Sequence, residues 1–129
     1  MQYWTIKTFV TTSGKNVVKE WVQNQPKGAQ AAIDIRLRHL QTQKLWGMRP
    51  YAAKRKGTDC IYEVIINWKK DKYRPLGFFG PKSGEFTLLV GAQEKDWKLV
   101  PITSDGIAEM RQKLIMRNKK YAIKYFNDL

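Results

Sequence analysis

Cysteine, histidine and long apolar runs are scarce in this chain, and each scarcity excludes a class of protein. The single cysteine, Cys60, excludes an internal disulfide framework and a cysteine-rich metal site, and it favours the reducing cytoplasm. The only histidine, His39, lies in a predicted helix, where a surface or packing role is favoured. No apolar run approaches the length of a membrane span, and the first residues lack a signal-peptide pattern. We therefore expect a cytoplasmic protein.

The signatures of cofactor and metal enzymes are missing as well. The sequence has no P-loop, no dinucleotide fingerprint, no clustered metal ligands and no paired carboxylates close to one another. Cys60 begins a predicted strand, and no nearby base is evident that would activate it as a nucleophile. We expect neither a cofactor nor a metal.

Acidic residues are few compared with basic ones. The chain has 24 Lys and Arg against 11 Asp and Glu, a formal net charge of +13. Such an excess attracts polyanions, so nucleic acid is the leading partner. An anionic membrane surface and an acidic protein compete with it.

A three-stranded antiparallel meander dominates the middle of the chain. At 129 residues and 43% hydrophobic composition, we expect a single domain over residues 1–129. Runs of β-branched and aromatic residues predict its strands, and Gly, Pro and polar clusters predict its turns. The strands and turns fall over residues 61–68, 69–72, 73–79, 80–84 and 86–90.

The two faces of this meander differ in polarity. A two-residue loop at Lys70-Asp71 would pair Trp68 with Tyr73 and place alternate side chains on opposite faces. One face is then apolar and needs helices over it: Tyr62, Val64, Ile66, Trp68, Tyr73 and Phe79. The other face carries Glu63, Asn67 and Arg74 among Ile61, Ile65, Leu76 and Phe78. This polar trio is either a functional site or a salt-bridged patch, and the register alone favours the patch.

The flanking segments supply a further strand and three helices. Alternation predicts a strand over residues 2–10, and helical spacing predicts helices over 15–25 and 26–42 that could cover the apolar sheet face. Residues 43–59 read as a loop with a basic cluster, Lys54-Arg55-Lys56, directly before the meander. The expected fold is α+β, a twisted antiparallel sheet with helices on one face and an open basic face.

A last helix is predicted from about Asp105 to about Tyr125. Its apolar face holds Ile107, Met110, Leu114, Tyr121 and Tyr125, and a neighbouring face holds Lys113, Arg117, Lys120 and Lys124. No acid interrupts the chain between Glu109 and Asp128. This basic ridge is a phosphate-tracking surface, a docking site for an acidic partner, or a solvated face.

The basic and aromatic residues suit an RNA phosphodiester. Arginine can hold a phosphate with two donors, clustered lysines can take a proton from a ribose hydroxyl, and aromatic rings can stack on an unpaired base. The same residues would equally make a binding surface without catalysis. They are Lys54, Arg55, Lys56, Arg74, Lys95, Trp97 and Lys98, with Tyr73, Tyr121 and Tyr125 available.

The order of elements and motifs resembles the RelE/HigB superfamily of toxins from bacterial type II toxin–antitoxin modules, and in particular the phage-derived HigB-like branch. The resemblance spans about Val17 to Met116, and its specificity comes from the order and spacing of short motifs. These motifs are Lys19-Glu20-Trp21, Ile61-Tyr62-Glu63-Val64, Tyr73-Arg74 before Leu76 and Phe78-Phe79, and Leu88-Leu89-Val90-Gly91 before Lys95 and Pro101.

The resemblance implies a RelE-like fold and a toxin that cuts messenger RNA on the ribosome, inhibits translation and is silenced by an antitoxin, expected to be a small helix-turn-helix protein. It implies that Arg74 stabilises the phosphate and that Lys54 or Lys95 assists proton transfer. Expected RNA contacts are Arg55, Lys56, Trp97, Lys98, Lys113, Arg117, Lys120 and Lys124. No membrane partner is implied.

The chain departs from the family pattern at three positions. Glu94-Lys95 stands where a lysine pair is typical, and Pro75 and Gly77 replace apolar strand residues. Two alternatives stay open: a toxin of the same fold that acts on another target such as DNA gyrase, and a non-catalytic, phage-derived nucleic-acid-binding or regulatory module.

Overall fold

Over residues 1–127, three helices and ten short strands make an α+β fold with two sheets, and the coarse fold class predicted from the sequence is confirmed. The computed structural model describes residues 1–127; Asp128 and Leu129, which close the predicted domain, lie outside the described residues. Within residues 1–127, none of the helices is long and apolar enough to cross a membrane.

The helices are α1 Val17–Gln23, α2 Lys27–Gln41 and α3 Ser104–Arg117, and a 3₁₀ helix covers Lys119–Tyr121. The strands are β1 Thr5–Phe9, β2 Ala52–Lys54, β3 Tyr62–Val64, β4 Ile66–Trp68, β5 Asp71–Tyr73, β6 Leu76–Phe79, β7 Glu85–Val90, β8 Gln93–Lys95, β9 Lys98–Val100 and β10 Ala122–Lys124. Local chemistry sets the first helix boundaries. The Asn16 side chain accepts a hydrogen bond from the Lys19 amide, and Pro26 directly precedes α2.

The larger sheet is mixed, so the prediction of a purely antiparallel sheet is wrong. Its strand order is β10-β1-β7-β6-β3-β2, and β1 runs parallel to β7, with Ile6 opposite Phe86. The N-terminal strand thus lies inside the sheet, between β7 and β10. Helices α1 and α2 lie in the chain between β1 and the strands of the meander. This long connection allows β7 to run in the same direction as β1.

The first hairpin of the meander bends across both sheets. The first predicted strand is interrupted at Ile65, and the second is interrupted opposite it at Arg74-Pro75. Pro75 has no N–H to donate to the hydrogen-bond ladder between the two strands. The outer halves join the smaller sheet, whose order is β4-β5-β8-β9. Trp68 pairs with Asp71 rather than with Tyr73, a shift of two residues from the predicted register. A shift of two leaves every side chain on its predicted face.

Helices α1 and α2 cover the apolar face, as predicted. Their buried side chains, such as Val18, Ile33 and Leu37, meet Val64 and Phe86 from the sheet. Trp46, from the segment predicted as a loop, is 1% exposed within the same cluster. Gly91 lacks a side chain for a packing reason: a Cβ there would lie 2.1 Å from the Trp21 ring.

Helix α3 covers the second face, so the predicted open basic face is wrong. Leu76, Phe78 and Leu89 of the sheet form a buried cluster with Ala108 and Ile115 of α3. The physical reason is that this strand face is half apolar, as the sequence shows. Burying its apolar side chains under an amphipathic helix is more favourable than leaving them in water.

The predicted last helix is too long. Helix α3 ends at Arg117, because Asn118 is extended and its side chain accepts a hydrogen bond from the Lys120 amide. The chain then pairs with β1 as β10, which supplies backbone hydrogen bonds that a longer helix would have made internally. Met110, predicted on the apolar helix face, is 56% exposed.

Candidate functional site

Arg74 lies at the bend of the hairpin with its side chain only 8% exposed. Its Nη1 donates to the Asn67 side chain at 3.0 Å and to the Tyr73 carbonyl at 2.8 Å. Its Nε lies 3.4 Å from Glu63 Oε2. The polar trio that the register placed on one face is therefore in contact. Burial lowers the pKa of Arg74, and the carboxylates of Glu63 and Glu94 oppose that effect.

A second arginine joins Glu63 from the end of β2. Arg55 Nη1 donates to Glu63 Oε1 at 2.9 Å, while its Nε and Nη2 donate to the two oxygens of Asp105 at 2.9 and 3.1 Å. The hydrogen bonds to Asp105 are the main cause that raises the pKa of Arg55. These contacts fasten the first turn of α3 to β3. We call Arg55, Glu63, Arg74, Glu94 and Asp105 the charge network.

Glu94 connects the charge network to the surface. Its Oε1 lies 3.9 Å from Arg74 Nε, and its Oε2 lies 3.5 Å from Lys72 Nζ. The Glu94 side chain is 26% exposed, compared with 10% for Glu63. It is thus the carboxylate of the pair that solvent or a ligand reaches.

A strained hairpin tip follows Glu94. The turn between β8 and β9 is made by Asp96 and Trp97, with φ values of 50° and 65°. Side chains rarely adopt this left-handed region, and Asn-Gly is the usual choice for two such positions. Trp97 is also 89% exposed, and Lys72 Nζ lies 5.1 Å from its ring centroid. Strain of this kind points towards a functional role for the tip.

Two grooves meet at Trp97. The first, the hairpin groove, has a volume of about 490 Å³. It lies between the β4–β5 turn and the β8–β9 turn and is lined by Lys70, Asp71, Lys72, Gln93, Glu94, Lys95, Asp96 and Trp97. The second, the network groove, has a volume of about 400 Å³ and reaches down to the charge network. Its lining is Arg55, Glu94, Trp97, Lys98, Leu99, Ile102 and Asp105.

The structure brings together only part of the predicted catalytic set. Arg74 contacts Glu94, and Lys95 follows Glu94 in the hairpin groove. Lys54 pairs with Tyr62, so its side chain leaves the sheet on the α1/α2 face, opposite that of Arg74. Its Nζ donates to the carbonyl oxygen of Thr58.

The predicted RNA contacts fall into two groups. Arg55, Trp97 and Lys98 line the network groove, and Lys56 is exposed near the end of β2. Lys113 and Arg117 lie on α3, Lys120 in the 3₁₀ helix and Lys124 in β10, so the four do not share one helix face.

The second group, which consists of Lys113, Arg117, Lys120 and Lys124, remains a basic surface that we call the C-terminal ridge. The ridge also includes Lys119, which sequence reasoning omitted, and none of its five cations forms an ion pair within residues 1–127. Met110, Lys113, Leu114 and Arg117 also line a groove of about 350 Å³ on α3.

Sequence reasoning placed Glu63 beside Arg74 but missed the other two acids of the charge network. Asp105 was noted only as the start of the last helix and Glu94 only as a departure from a lysine pair, although both stand close to predicted cations. Ile102, 81% exposed beside Trp97 in the network groove, gave no signal at all. Among the described residues, no three His, Cys, Asp or Glu side chains are placed to hold a metal ion.

Comparisons with protein-family models, with curated proteins and with solved structures found no match to this chain.

Proposed function

We propose that this protein binds RNA at the β8–β9 hairpin and acts as the toxin of a type II toxin–antitoxin module, cutting messenger RNA on the ribosome and so inhibiting translation. The observation that carries the proposal is Trp97, an exposed ring on a strained turn beside Lys72 and between two grooves. An exposed aromatic ring among cations is suited to stacking on an unpaired base. The net charge of +13 would draw RNA towards it.

The family assignment within this proposal is supported by the ordered motifs of the sequence. A strand, two helices, the meander and a C-terminal helix occur in the order expected of a RelE-like fold. The partly exposed Glu94 carboxylate, the aromatic tip, Lys95 and Lys98 come from the segment after the third strand, where the resemblance expects a basic site.

The proposed reaction is attack of a ribose 2′-hydroxyl on the adjacent phosphate, with departure of the 5′-oxygen. Lys95 is exposed and is the lysine that we assign to proton transfer. Lys98, also exposed, can hold the phosphate directly. Arg74 can add its charge only when Glu63 and Glu94 release its Nε, so its contribution depends on rearrangement of the charge network.

The proposed protein partner is an acidic antitoxin of the small helix-turn-helix type, and the C-terminal ridge supports it. The ridge combines exposed cations with the exposed apolar side chains of Met110 and Met116. The complex should weaken as salt rises, because surface charge pairs are screened over about 8 Å at physiological ionic strength. An affinity that does not change with salt would mean a mainly apolar interface.

Induction of the chain in a bacterium tests the proposal. Wild type should arrest growth, stop translation and yield shortened messages, and Trp97→Ala should relieve the arrest. Leu45→Ala is the matched control, since Leu45 is 73% exposed but outside both grooves. Normal growth with abundant soluble wild type would refute the toxin and leave a binding module. Arrested replication with intact messages would favour a gyrase-directed toxin instead.

A further inference from the structure

We propose that the network groove is a nucleobase pocket that prefers guanine, with Trp97 and Ile102 as its walls and the Glu94 carboxylate as its reading group. This inference rests on the proposed function, because it takes single-stranded RNA as the ligand. It adds the identity of the base that the site selects.

The walls follow from the position of Trp97 between the two grooves. Lys72 lies over the Trp97 ring and lines only the hairpin groove. Trp97 also lines the network groove, so we assign the ring face away from Lys72 to that groove, whose lining includes Ile102, 81% exposed, and the buried Leu99. A flat base inserted there has an aromatic ring on one side and an aliphatic side chain on the other. This is the sandwich by which proteins hold unstacked bases.

The reading group is the one carboxylate of the charge network whose oxygens accept no hydrogen bond from another described residue. Both oxygens of Asp105 accept hydrogen bonds from Arg55, and both oxygens of Glu63 are held by the two arginines. Glu94 has only ion pairs at 3.5 and 3.9 Å, and within residues 1–127 it accepts no hydrogen bond. It is therefore the acceptor that a base in the groove can use.

The preference follows from the hydrogen-bonding edges of the bases. Guanine presents two adjacent donors, N1–H and the N2 amino group, which match the two oxygens of a carboxylate. Adenine and cytosine present one amino group beside a ring acceptor, and uracil presents one N–H between two carbonyls, so a carboxylate is repelled by part of each edge. A good bidentate contact is worth about 1–3 kcal/mol of discrimination, which corresponds to about 5- to 150-fold in affinity. The Glu94 side chain is 26% exposed, so we expect a preference in the lower part of that range.

The test measures binding of short 2′-O-methyl RNA oligomers by fluorescence anisotropy. The oligomers differ only in the central base, placed in an all-uridine background, and the methyl groups prevent attack by a ribose hydroxyl. Wild type should bind the guanine oligomer on the order of 10-fold more tightly than the other three, with inosine, which lacks the N2 amino group, in between. Glu94→Gln should remove the preference, so that the guanine oligomer binds no more tightly than the other three. Trp97→Ala should weaken all four.

Glu85→Gln is the matched control, since Glu85 also pairs with a lysine, Lys7 at 3.4 Å, but lies outside both grooves. It should keep the full preference, and melting temperatures should show that every variant is folded. Equal binding of all four bases by wild type, or a preference that survives Glu94→Gln, would overturn the guanine pocket and leave RNA binding standing. No binding of any oligomer would instead overturn the proposed function, and the pocket with it.

Discussion

The two faces of the six-stranded sheet are buried by different means. The face under α1 and α2 is an aromatic and aliphatic core, and Lys19 lies over the ring of one core residue, with its Nζ 4.5 Å from the Tyr125 centroid. The face under α3 has a smaller apolar cluster, with the charge network at one end and Arg111, which donates to the Leu89 carbonyl at 2.7 Å. Apolar burial is non-directional, whereas ion pairs and hydrogen bonds need fixed geometry. The comparison suggests that the first face supplies stability and the second positions the grooves.

Neighbouring leucines on β7 give the sharpest comparison. Leu88 faces α1 and α2, Leu89 faces α3, and both are 0% exposed. Leu88→Ala and Leu89→Ala should each lower the free energy of unfolding by about 3–4 kcal/mol, as cavity-forming substitutions do. Urea denaturation measures both. A cost below about 1 kcal/mol for Leu89→Ala alone would mean that α3 leaves the sheet in solution.

Removing the shared carboxylate of the charge network should cost nearly as much. Glu63→Ala would leave Arg55 and Arg74 without their common partner, and breaking such a pair costs about 3 kcal/mol. Replacing Arg55 by Met, Glu63 by Leu and Arg74 by Met together should be milder, because the most buried charges are removed together. Asp105 and Glu94 lose their arginines, but at 33% and 26% exposed their carboxylates still reach water. Chemical denaturation of the single and triple variants measures the difference. If the triple variant is less stable than Glu63→Ala, the charge network stabilises the fold by more than the sum of its ion pairs.

High pH should destabilise the apolar face first. Burial raises the pKa of Tyr125 from 10.0 to about 12. The folded state therefore holds this proton between about pH 10 and pH 12 while the unfolded chain loses it, so stability present below pH 10 falls as the pH rises through that window. The loss is about 3 kcal/mol. Unfolding measured from pH 9 to 12 should be flatter for Tyr125→Phe, and an unchanged slope would show that other groups dominate.

The C-terminal ridge should matter least for stability. Lys113 is exposed and unpaired among the described residues, so Lys113→Ser should leave the free energy of unfolding within about 0.5 kcal/mol of wild type. The salt dependence of RNA binding by this variant then distinguishes a ridge that binds phosphate from one that binds a protein partner. If it tracks phosphate, the slope of log affinity against log salt should shrink by about 0.7 for one lost contact to single-stranded RNA. An unchanged slope would favour a protein partner.

Strong hydrophobic periodicity made the helices and the central strands predictable, whereas the remaining elements have only weak sequence patterns. Strand β10 was lost because its residues continue a helix-like spacing, and only Asn118 marks the break. The observed register of the first hairpin differs from the predicted one because Lys69 adopts a left-handed φ of 55°. Lysine gives no sequence signal for this backbone conformation. The parallel pairing of β1 with β7 depends on residues about 80 positions apart, beyond the reach of local pattern.

The candidate site was only partly predictable for a related reason. Basic and aromatic residues are conspicuous in a chain of net charge +13, so Arg74, Lys95 and Trp97 were found. Strands β8 and β9 were missed because Gln93-Glu94-Lys95 has no apolar alternation and the turn lacks Asn-Gly. The strand register placed Glu63 beside Arg74, but the roles of Glu94 and Asp105 became visible only once the fold brought them to the arginines.

The position of β1 has a consequence for how the chain is made. The strand lies between β7 and β10, and Lys7 pairs with Lys124, which is synthesised more than 100 residues later. Synthesis proceeds at about 5–20 residues per second, so the first strand stays unpaired on both edges for seconds while the helices that follow it can already form. A nascent chain that stops before Ala122 keeps one edge of β1 open, which makes early termination a route to aggregation.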